Sequence, residues 1–461
     1  MKGRELKNLG LNSTQIKIAQ QLCREAASNG WHKRQMREAI VAIVADPDAH
    51  TDHEQFAKLA ELISTSGFEE RDEPAPWQQW GEDLDENSIQ QMANACRLPV
   101  ARRGALMPDA HLGYGLPIGG VLATKDAIIP YAVGVDIACR MRLTVLDIPT
   151  SALDDVRERE RLKTVLEEET RFGIGASFID PRDHAVMDED WGISDVTKKV
   201  YGKGRSQLGS SGSGNHFVEY GIFTIDEPDL GLAPGSYLAL LSHSGSRGPG
   251  ATVANHYSRL ARELHPELPD ELKHLAWLDM NKPEGQEYWE AMQLMGKFAA
   301  ANHEVIHREM VRALGAKVHV SVENHHNFAW KEEHDGEEMI VHRKGATPAG
   351  QGVLGIIPGS MASPCYVVRG RGEENSLRSA SHGAGRVMSR RQANNTIQWD
   401  EVSTLLEQKG VELLSAGLDE APFVYKDINT VMEAQKDLVD IVARFTPKIV
   451  KMAPAGERPE D

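Results

Sequence analysis

The sequence predicts an α+β protein in which strands and helices mix along one large domain, preceded by a small helical N-terminal region. Short apolar runs that end in glycine-rich or polar turns recur after about residue 86, which is typical of strands. Apolar residues spaced three and four apart, typical of helices, occupy the front of the chain and return at 286–314 and 428–444. The runs that we predict as strands are Met141–Val145, Tyr237–Leu241, Val318–Val322 and Met339–Val341.

Residues 1–66 are predicted to form a helical N-terminal extension, because three apolar stripes there have helical spacing. The stripes are Ile16, Ala19, Leu22, Cys23 and Ala26, then Met36, Ile40 and Ile43, then Phe56, Leu59 and Leu62. Residues 67–85 are charged and contain prolines, so we predict a linker there. The main domain is expected to span 86–452, and residues 453–461 are expected to form a tail.

Composition favours a globular protein in a reducing compartment. The chain has 461 residues, of which 41% are hydrophobic and 26% charged, as in packed globular proteins. Its four cysteines lack paired spacing, which argues against a disulfide framework. The sequence also lacks an apolar run of membrane-spanning length and an apolar signal segment near Met1. We therefore expect a cytoplasmic protein with no membrane partner.

Charge is distributed unevenly along the chain. The net charge of −17 argues against a nonspecific nucleic-acid coat. Between residues 341 and 391, however, the sequence has eight Lys or Arg residues and two acidic residues, which gives a local charge of +6. That window is rich in glycine and contains His342 and His382. It suits a ligand that carries phosphate, and the alternative is a solvated surface stretch.

The run Ser-His-Gly-Ala-Gly-Arg at 381–386 is the most informative short segment. Small neighbours allow the backbone around His382 to approach a phosphate closely. Histidine can act as a covalent nucleophile, and Arg386 offers a planar charged fork for phosphate oxygens. The alternative is a structural histidine in a glycine-rich loop.

A second group of residues predicts a metal site. Asp136 and Cys139 lie three residues apart after an apolar run, and each candidate histidine follows a predicted strand or a glycine-rich run. Any one of them alone is more often structural than a ligand, but together they favour a metal site. The spacing is compatible with Mn, Zn, Fe or Co. The candidate ligands are Asp136, Cys139, His216, His243 and His326, with His326 preferred over His325 because Asn327 follows it.

The segment His303-Glu304-Val305-Ile306-His307 matches the zinc-protease pattern H-E-x-x-H on a predicted helix. Two histidines four residues apart share one helix face. A third ligand at a familiar spacing is missing, with Glu323 the nearest weak candidate. The pattern is therefore more typical of a chance match on an amphipathic helix, and a metal-dependent hydrolase is kept only as the alternative function.

Ordered motifs along the main domain resemble the RtcB family of RNA ligases. The resemblance covers about residues 86–452, and the N-terminal helical region lies outside it. It implies an RtcB-like single catalytic domain with mixed sheets and flanking helices. The matching segments are 107–120 (Met-Pro-Asp-Ala-His-Leu-Gly-Tyr-Gly-Leu-Pro-Ile-Gly-Gly), 133–139, 212–219, 243–248, 326–329, 341–347, 358–361, 381–386 and 425–427.

The resemblance implies a specific reaction. The family joins RNA ends that carry a 3′-phosphate or a 2′,3′-cyclic phosphate to 5′-hydroxyl ends, using GTP and two Mn²⁺ ions, in RNA splicing or repair. By this resemblance His382 forms a histidine–GMP adduct. The five candidate ligands hold the two ions, and Cys139 bridges them. RNA is the implied partner, and archease is a helper protein of some members.

Further residues receive roles through the same resemblance. The implied nucleotide-binding residues are Asn215, Glu219, Ser360, Tyr425, Lys451, Gly383, Ala384 and Gly385. The implied RNA or phosphate contacts are Arg247, Lys344, Arg386 and Arg390. The sequence departs from the family pattern at three places. Cys365 replaces an expected serine, His303 replaces a common arginine, and Lys451 lacks the usual glycine after it.

Three functions therefore compete at the level of sequence. The first is an RNA ligase that works through a guanylylated histidine. The second is a metal-dependent hydrolase, either a protease using His303, Glu304 and His307 or a cyclic phosphodiesterase without ligation. The third is a non-enzymatic RNA-binding protein.

Overall fold

The structure, a computed structural model, describes residues 1–11, 13–64 and 71–457. Its helices are α1 Gly3–Lys7, α2 Ser13–Ser28, α3 Lys33–Ala45, α4 Ala57–Ser64, α5 Glu86–Cys96, α6 Pro130–Val133, α7 Val156–Glu169, α8 Asp195–Gln207, α9 Arg247–Leu264, α10 Pro283–Leu314, α11 Arg390–Thr396, α12 Trp399–Lys409 and α13 Ile428–Glu433. Its strands are β1 Trp77–Gln79, β2 Ala101–His111, β3 Ile118–Thr124, β4 Ala127–Ile128, β5 Arg140–Leu146, β6 Phe217–Ile225, β7 Gly235–Ser244, β8 Leu278–Asp279, β9 Val318–His325, β10 Phe328–His334, β11 Glu337–Lys344, β12 Ala346–Pro348, β13 Leu354–Pro358, β14 Cys365–Gly370, β15 Ser379–Ser381, β16 Glu412–Ser415 and β17 Val439–Met452.

The N-terminal region is helical, as predicted. Helices α1 to α4 pack around an apolar core of their own, in which Leu6, Ile40, Ile43, Phe56 and Leu59 are fully buried. The stripes read from the sequence supply this core. Of the predicted linker, 67–70 lie outside the described residues, and β1 within it pairs in parallel with β2. The division of the chain into domains stays a prediction.

Two larger sheets organise the described part of the main domain. The first has the strand order β1-β2-β3-β11-β10. The second has the order β13-β14-β17-β6-β7-β5-β9, with β16 pairing beside β17. Antiparallel pairs predominate, and the parallel pairs are β1 with β2 and β16 with β17. Helices and sheets together confirm the predicted α+β class. No helix among the described residues is both long and apolar enough to cross a membrane.

The predicted strands are present as β5, β7, β9 and β11, and the helix predicted at 286–314 is α10, which begins with Pro283 in its first turn. The helix predicted at 428–444 is wrong. Only α13 is helical there, and β17 follows it. Burial in β17 alternates after residue 442, where Ala443 and Phe445 are buried and Arg444 between them is exposed, which is the pattern of a strand. Its β-branched residues also favour a strand.

The second sheet brings distant segments together at one end of its central strands. Strands β6, β7, β5 and β9 are consecutive neighbours and run antiparallel, so the starts of β5 and β6 lie beside the ends of β7 and β9. His243 near the end of β7 is opposite Phe217 and Met141, the first residue of β6 and the second of β5. Side chains just outside these strand ends therefore meet.

Candidate active site

The structure brings all five candidate metal ligands together at this end of the strands. The Sγ atom of Cys139 lies 3.1 Å from Nε2 of His243 and 3.4 Å from Nε2 of His216. Nε2 of His243 lies 3.3 Å from Nε2 of His326, and Oδ2 of Asp136 lies 3.1 Å from Nε2 of His216. All five side chains are buried. Their donor atoms converge on one small volume, and those of Cys139, His216 and His243 all lie within 4.8 Å of one another.

The electrostatics of this cluster suit a cation. Nδ1 of His243 lies 3.0 Å from the backbone oxygen of Asn215, to which it must donate. Nε2 of His243 therefore carries the free lone pair that a metal needs. Burial, together with the nearby His216, lowers the pKa of His243 to about 3, and burial holds the pKa of His326 well below its usual value. These imidazoles are neutral at pH 7 and available as ligands.

His382 lies beside the cluster, in the loop after β15. Its ring centre is 4.9 Å from that of His326. Its Nδ1 lies 2.7 Å from Oδ2 of the fully buried Asp109. The backbone N–H groups of His382 and Gly383 donate to the same carboxylate oxygen, each at 3.2 Å. Because a carboxylate accepts, Nδ1 of His382 carries the proton and Nε2 keeps a free lone pair.

Asp109 is the residue that sequence reasoning missed. It lies in the quoted motif at 107–120, but its partner His382 is 273 residues away. Gly385 presses this loop against Asp109, since a Cβ there would lie 2.1 Å from the Asp109 backbone oxygen and its φ is +76°. The signal in the sequence that could have pointed to Asp109 is a charged residue between Pro108 and Ala110, within a motif that is otherwise uncharged.

Most of the predicted nucleotide residues line the same region. The backbone N–H of Lys426 donates to Gly385 and that of Val387 to Val424, which places Tyr425 beside the 383–385 loop. A Cβ on Gly383 would lie 3.4 Å from the backbone oxygen of Pro358, so the turn that holds Ser360 also lies against this loop.

Glu219 and Lys451 leave neighbouring strands on different faces. Glu219 follows Phe217 by two residues on β6, so its side chain shares the face of His243. Burial raises the pKa of its carboxyl group well above the usual value. Lys451 is opposite Val218, and its ammonium lies over the Phe172 ring at 5.7 Å. The structure therefore does not bring Lys451 and Glu219 onto one face, and the nucleotide role of Lys451 stays a prediction.

The predicted phosphate-binding cations already have protein partners. Arg386 donates to the backbone oxygen of Asp419 at 2.6 Å, and Arg390 forms ion pairs with Asp419 and Glu420. Two others are buried near the cluster. Arg247 donates to Ser210, and Lys344 donates to the backbone oxygen of Tyr114 at 2.6 Å. Their contacts with phosphate stay predictions.

The protease-like pattern on α10 is structural in this fold. The two ring nitrogens of His303 form hydrogen bonds with Ser242 Oγ at 2.8 Å and with the Ser244 backbone oxygen at 3.0 Å. The two ring nitrogens of His307 form hydrogen bonds with Ser242 Oγ and Thr144 Oγ1, both at 2.8 Å. Glu304 is exposed. No ring nitrogen of either histidine is left for a zinc ion, so the geometry argues against the protease hypothesis.

We expect Glu304→Gln to leave every activity of the protein within about twofold of the wild type, as for other surface substitutions. A zinc protease of this pattern needs that glutamate as general base, and it would lose activity. The measurement is RNA ligation beside hydrolysis of an unfolded protein substrate. The matched control is Glu263→Gln, on the surface of α9. Loss of activity in Glu304→Gln alone would restore the protease hypothesis.

Comparison with known proteins decides the family. The profile of the family described as tRNA-splicing ligase RtcB matches residues 91–194 and 158–452. The chain belongs to the RtcB family. The RNA-splicing ligase RtcB of Escherichia coli (strain K12) is 34% identical over 405 residues, covering 80% of this chain and 95% of that protein. The tRNA-splicing ligase RtcB of Methanococcus maripaludis is 32% identical over 455 residues, with 81% and 92% covered. The RNA-splicing ligase RtcB of Mycobacterium tuberculosis is 31% identical over 432 residues, with 77% and 98% covered. The residues of this chain that match the family profile include every residue of the site.

Proposed function

We propose that this protein is an RNA ligase that joins 3′-phosphate or 2′,3′-cyclic phosphate ends to 5′-hydroxyl ends, using GTP and two Mn²⁺ ions, in RNA splicing or repair. The observation that carries the proposal is the position of His382. Its imidazole is held by Asp109 at one nitrogen and lies next to a buried cluster of metal-binding side chains at the other side. The names of the relatives, which are RNA- and tRNA-splicing ligases, support RNA as the substrate.

The ligand cluster fits divalent manganese. One carboxylate, one thiolate and three imidazoles offer oxygen, sulfur and nitrogen donors, and a thiolate can bridge two ions. Asp136, Cys139, His216, His243 and His326 would hold the two ions. When bound, these ions neutralise charge on the phosphates of the nucleotide and of the RNA end.

His382 is the nucleophile of the first step. Its Nε2 lone pair attacks the α-phosphorus of GTP, the new N–P bond forms, and the P–O bond to pyrophosphate breaks. The imidazole ring gains positive charge as this bond forms, while the proton stays on Nδ1. The Asp109 carboxylate, 2.7 Å from Nδ1, stabilises that charge, much as the buried aspartate does in hydrolytic triads.

The adduct then activates the RNA. An oxygen of the RNA 3′-phosphate attacks the phosphorus of the adduct, and the N–P bond to His382 breaks. The 5′-hydroxyl of the second RNA attacks the phosphorus of the original 3′-phosphate and displaces GMP, which completes the phosphodiester. A cyclic end is first hydrolysed to the 3′-phosphate. A nucleotide leaving group is needed because a phosphate oxygen alone leaves poorly.

Guanine and phosphate recognition would draw on the residues around the His382 loop. Glu219 shares the face of His243, and no described residue forms a hydrogen bond or ion pair with its carboxyl group. It would pair with the donor edge of guanine. The Tyr425 ring would stack on the base, with Asn215, Ser360, Lys451 and residues 383–385 around the ribose and phosphate. Arg247, Lys344, Arg386 and Arg390 would contact RNA phosphates.

Mass spectrometry of the intact protein tests this function. After incubation with GTP and MnCl₂ we expect an added mass equal to one GMP, mapped to the peptide that contains residues 381–386. Adding RNA with a 3′-phosphate should remove the addition. A protein that opens cyclic ends without acquiring this mass would instead be a cyclic phosphodiesterase, and modification on any other peptide would remove His382 from its role.

A further inference from the structure

An aromatic cluster lies next to the active site and has no role in the steps above. It consists of Tyr114, Tyr131 and His274, and we call it the aromatic platform. The ring centres of Tyr131 and His274 are 4.8 Å apart, and the Tyr114 ring lies 5.8 Å from His274 and 6.4 Å from Tyr131. Three elements supply it: the β2–β3 loop, helix α6 and the turn at 273–275.

The platform is open to solvent on one side. Tyr114 is 69% exposed, and Leu112 in the same loop is 56% exposed. Ordering a flexible loop when a ligand binds costs conformational entropy, so an exposed tyrosine binds best when its backbone is already held in place. Here the backbone is fixed, because Gly115 has a φ of +72° and a Cβ there would lie 2.9 Å from the backbone oxygen of His274. The loop is therefore held against His274 while the Tyr114 ring faces outward.

Contacts connect the platform to His382. The Lys344 ammonium donates to the backbone oxygen of Tyr114 at 2.6 Å and lies 5.7 Å from the centre of the Tyr131 ring. The next residue, Gly345, is so close to His382 that a Cβ there would lie 3.2 Å from its Cε1. Tyr131 also precedes the ligand Asp136 by only five residues. The platform therefore borders the place where the RNA ends must meet.

The surroundings of the platform favour an anionic aromatic ligand. Burial lowers the pKa of His274 to about 4, and the nearby Arg262, Lys273 and Lys344 contribute to that shift. Lys273 also has a weak ion pair with Asp270 at 3.8 Å. His274 is thus neutral, and its buried Nδ1 has no hydrogen-bond partner in the described residues. Because this atom is buried, a ligand of the platform would contact the exposed Tyr114 ring and the nearby cations instead.

We propose that the aromatic platform stacks a nucleobase of single-stranded RNA within a few nucleotides of the end being joined. Aromatic side chains on which bases stack, placed beside cations, are a usual means of holding single strands without sequence preference. Any base has a flat face, so such a platform accepts ends of any sequence. The inference rests on the proposed function for the identity of the ligand as RNA, but it concerns binding and not the chemistry at His382.

Binding of RNA strands that carry one abasic site tests the platform. The full-length protein is titrated, without GTP, against a labelled 5′-hydroxyl strand and separately against a 3′-phosphate strand, and affinity is read from fluorescence anisotropy. The abasic site is moved one nucleotide at a time from the end. We expect it to weaken binding roughly five- to 150-fold at one position of one strand, because stacking of one base is worth about 1–3 kcal/mol. The strand that responds identifies which RNA end lies on the platform.

Variants then assign the effect to the platform. Tyr114→Ala should weaken binding of the intact strand by the same factor, and the abasic site should then add no further loss. Tyr114→Phe keeps the ring and should bind as the wild type does. Tyr237→Ala is the matched control, since it lies on β7 six residues before His243, at the end of the strand away from the cluster.

Each outcome decides something. Equal binding of abasic and intact strands by the wild-type protein overturns the inference, whatever the variants do, and leaves a protein partner as the occupant to seek. An abasic penalty that persists in Tyr114→Ala also overturns it. GMP-adduct formation, measured separately without RNA, tests the proposed function. A protein that shows the abasic penalty but forms no adduct keeps the platform and loses the ligase chemistry.

Discussion

His382→Ala is expected to abolish the GMP adduct and to lower RNA ligation by roughly four orders of magnitude or more, as removal of a covalent nucleophile does in other enzymes. Alanine has no lone pair to attack phosphorus. The other imidazole beside the cluster that has a carboxylate partner, His216, is itself one of the candidate metal ligands. The measurement is the rate of adduct formation from GTP labelled at the α-phosphate, followed by ligation of matched RNA ends.

Asp109→Asn gives the more discriminating result, because it keeps the shape of the site. The Asp109 carboxylate accepts three hydrogen bonds through one oxygen, from His382 Nδ1 and from two backbone N–H groups. An amide can still accept there through its oxygen, but it carries no charge to balance the imidazole as the adduct forms. We expect adduct formation to slow roughly 10²- to 10⁴-fold.

The control for Asp109→Asn is Asp335→Asn, which removes an exposed carboxylate whose partner is Arg103. Thermal unfolding of each variant separates loss of fold from loss of chemistry. An Asp109→Asn protein that forms the adduct at the wild-type rate would show that Asp109 serves packing alone. A His382→Ala protein that still forms it would move the nucleophile elsewhere.

The fold could be predicted where the local pattern and the sheet agree. A local apolar pattern is enough to predict five elements of the fold. These are the strands β5, β7, β9 and β11 and the long helix α10. The segment 428–444 fails because apolar spacing there fits two periods, and the pairing of β17 with β6 and β14 decides between them. The pairing with β6 joins residues more than 200 positions apart and the pairing with β14 joins residues about 70 to 80 positions apart, and no local window contains either.

The site divides in the same way. The metal-ligand candidates other than Asp136 could be found because each lies at or beside one end of a strand, and strand ends are visible in the sequence. Asp136 instead follows helix α6. Asp109 could not be assigned, because its role depends on a contact across 273 residues. The H-E-x-x-H pattern on α10 supported only the alternative function, and the structure gives the reason against it. Its spacing is right for zinc, but Ser242 and Thr144 on neighbouring strands already occupy the imidazoles.

Cys139→Ser is expected to remove manganese from the protein, with a fall in affinity of more than about 100-fold, since even residues behind the ligands cost 10–100-fold. A serine hydroxyl stays protonated at pH 7, whereas a thiol near a cation becomes a thiolate. The thiolate would also contribute negative charge that offsets burial of the two proposed dications. The measurement is manganese content after gel filtration, beside a calorimetric titration with MnCl₂.

The adjacent pair His325 and His326 supplies a control within the same strand end. His326 enters the cluster, with its Nε2 3.3 Å from that of His243. The ring of His325 lies 5.1 Å from the ring centres of both Phe328 and Trp330. We therefore expect His326→Ala to lower manganese affinity strongly and His325→Ala to leave affinity unchanged in the folded protein.

This comparison is sharp because the two substitutions are chemically identical and one residue apart. A loss of metal caused by damage to β9 would appear in both variants, and more strongly in His325→Ala, which also removes aromatic packing. A loss confined to His326→Ala can come only from the missing nitrogen. Equal metal binding by both variants would exclude His326 as a ligand.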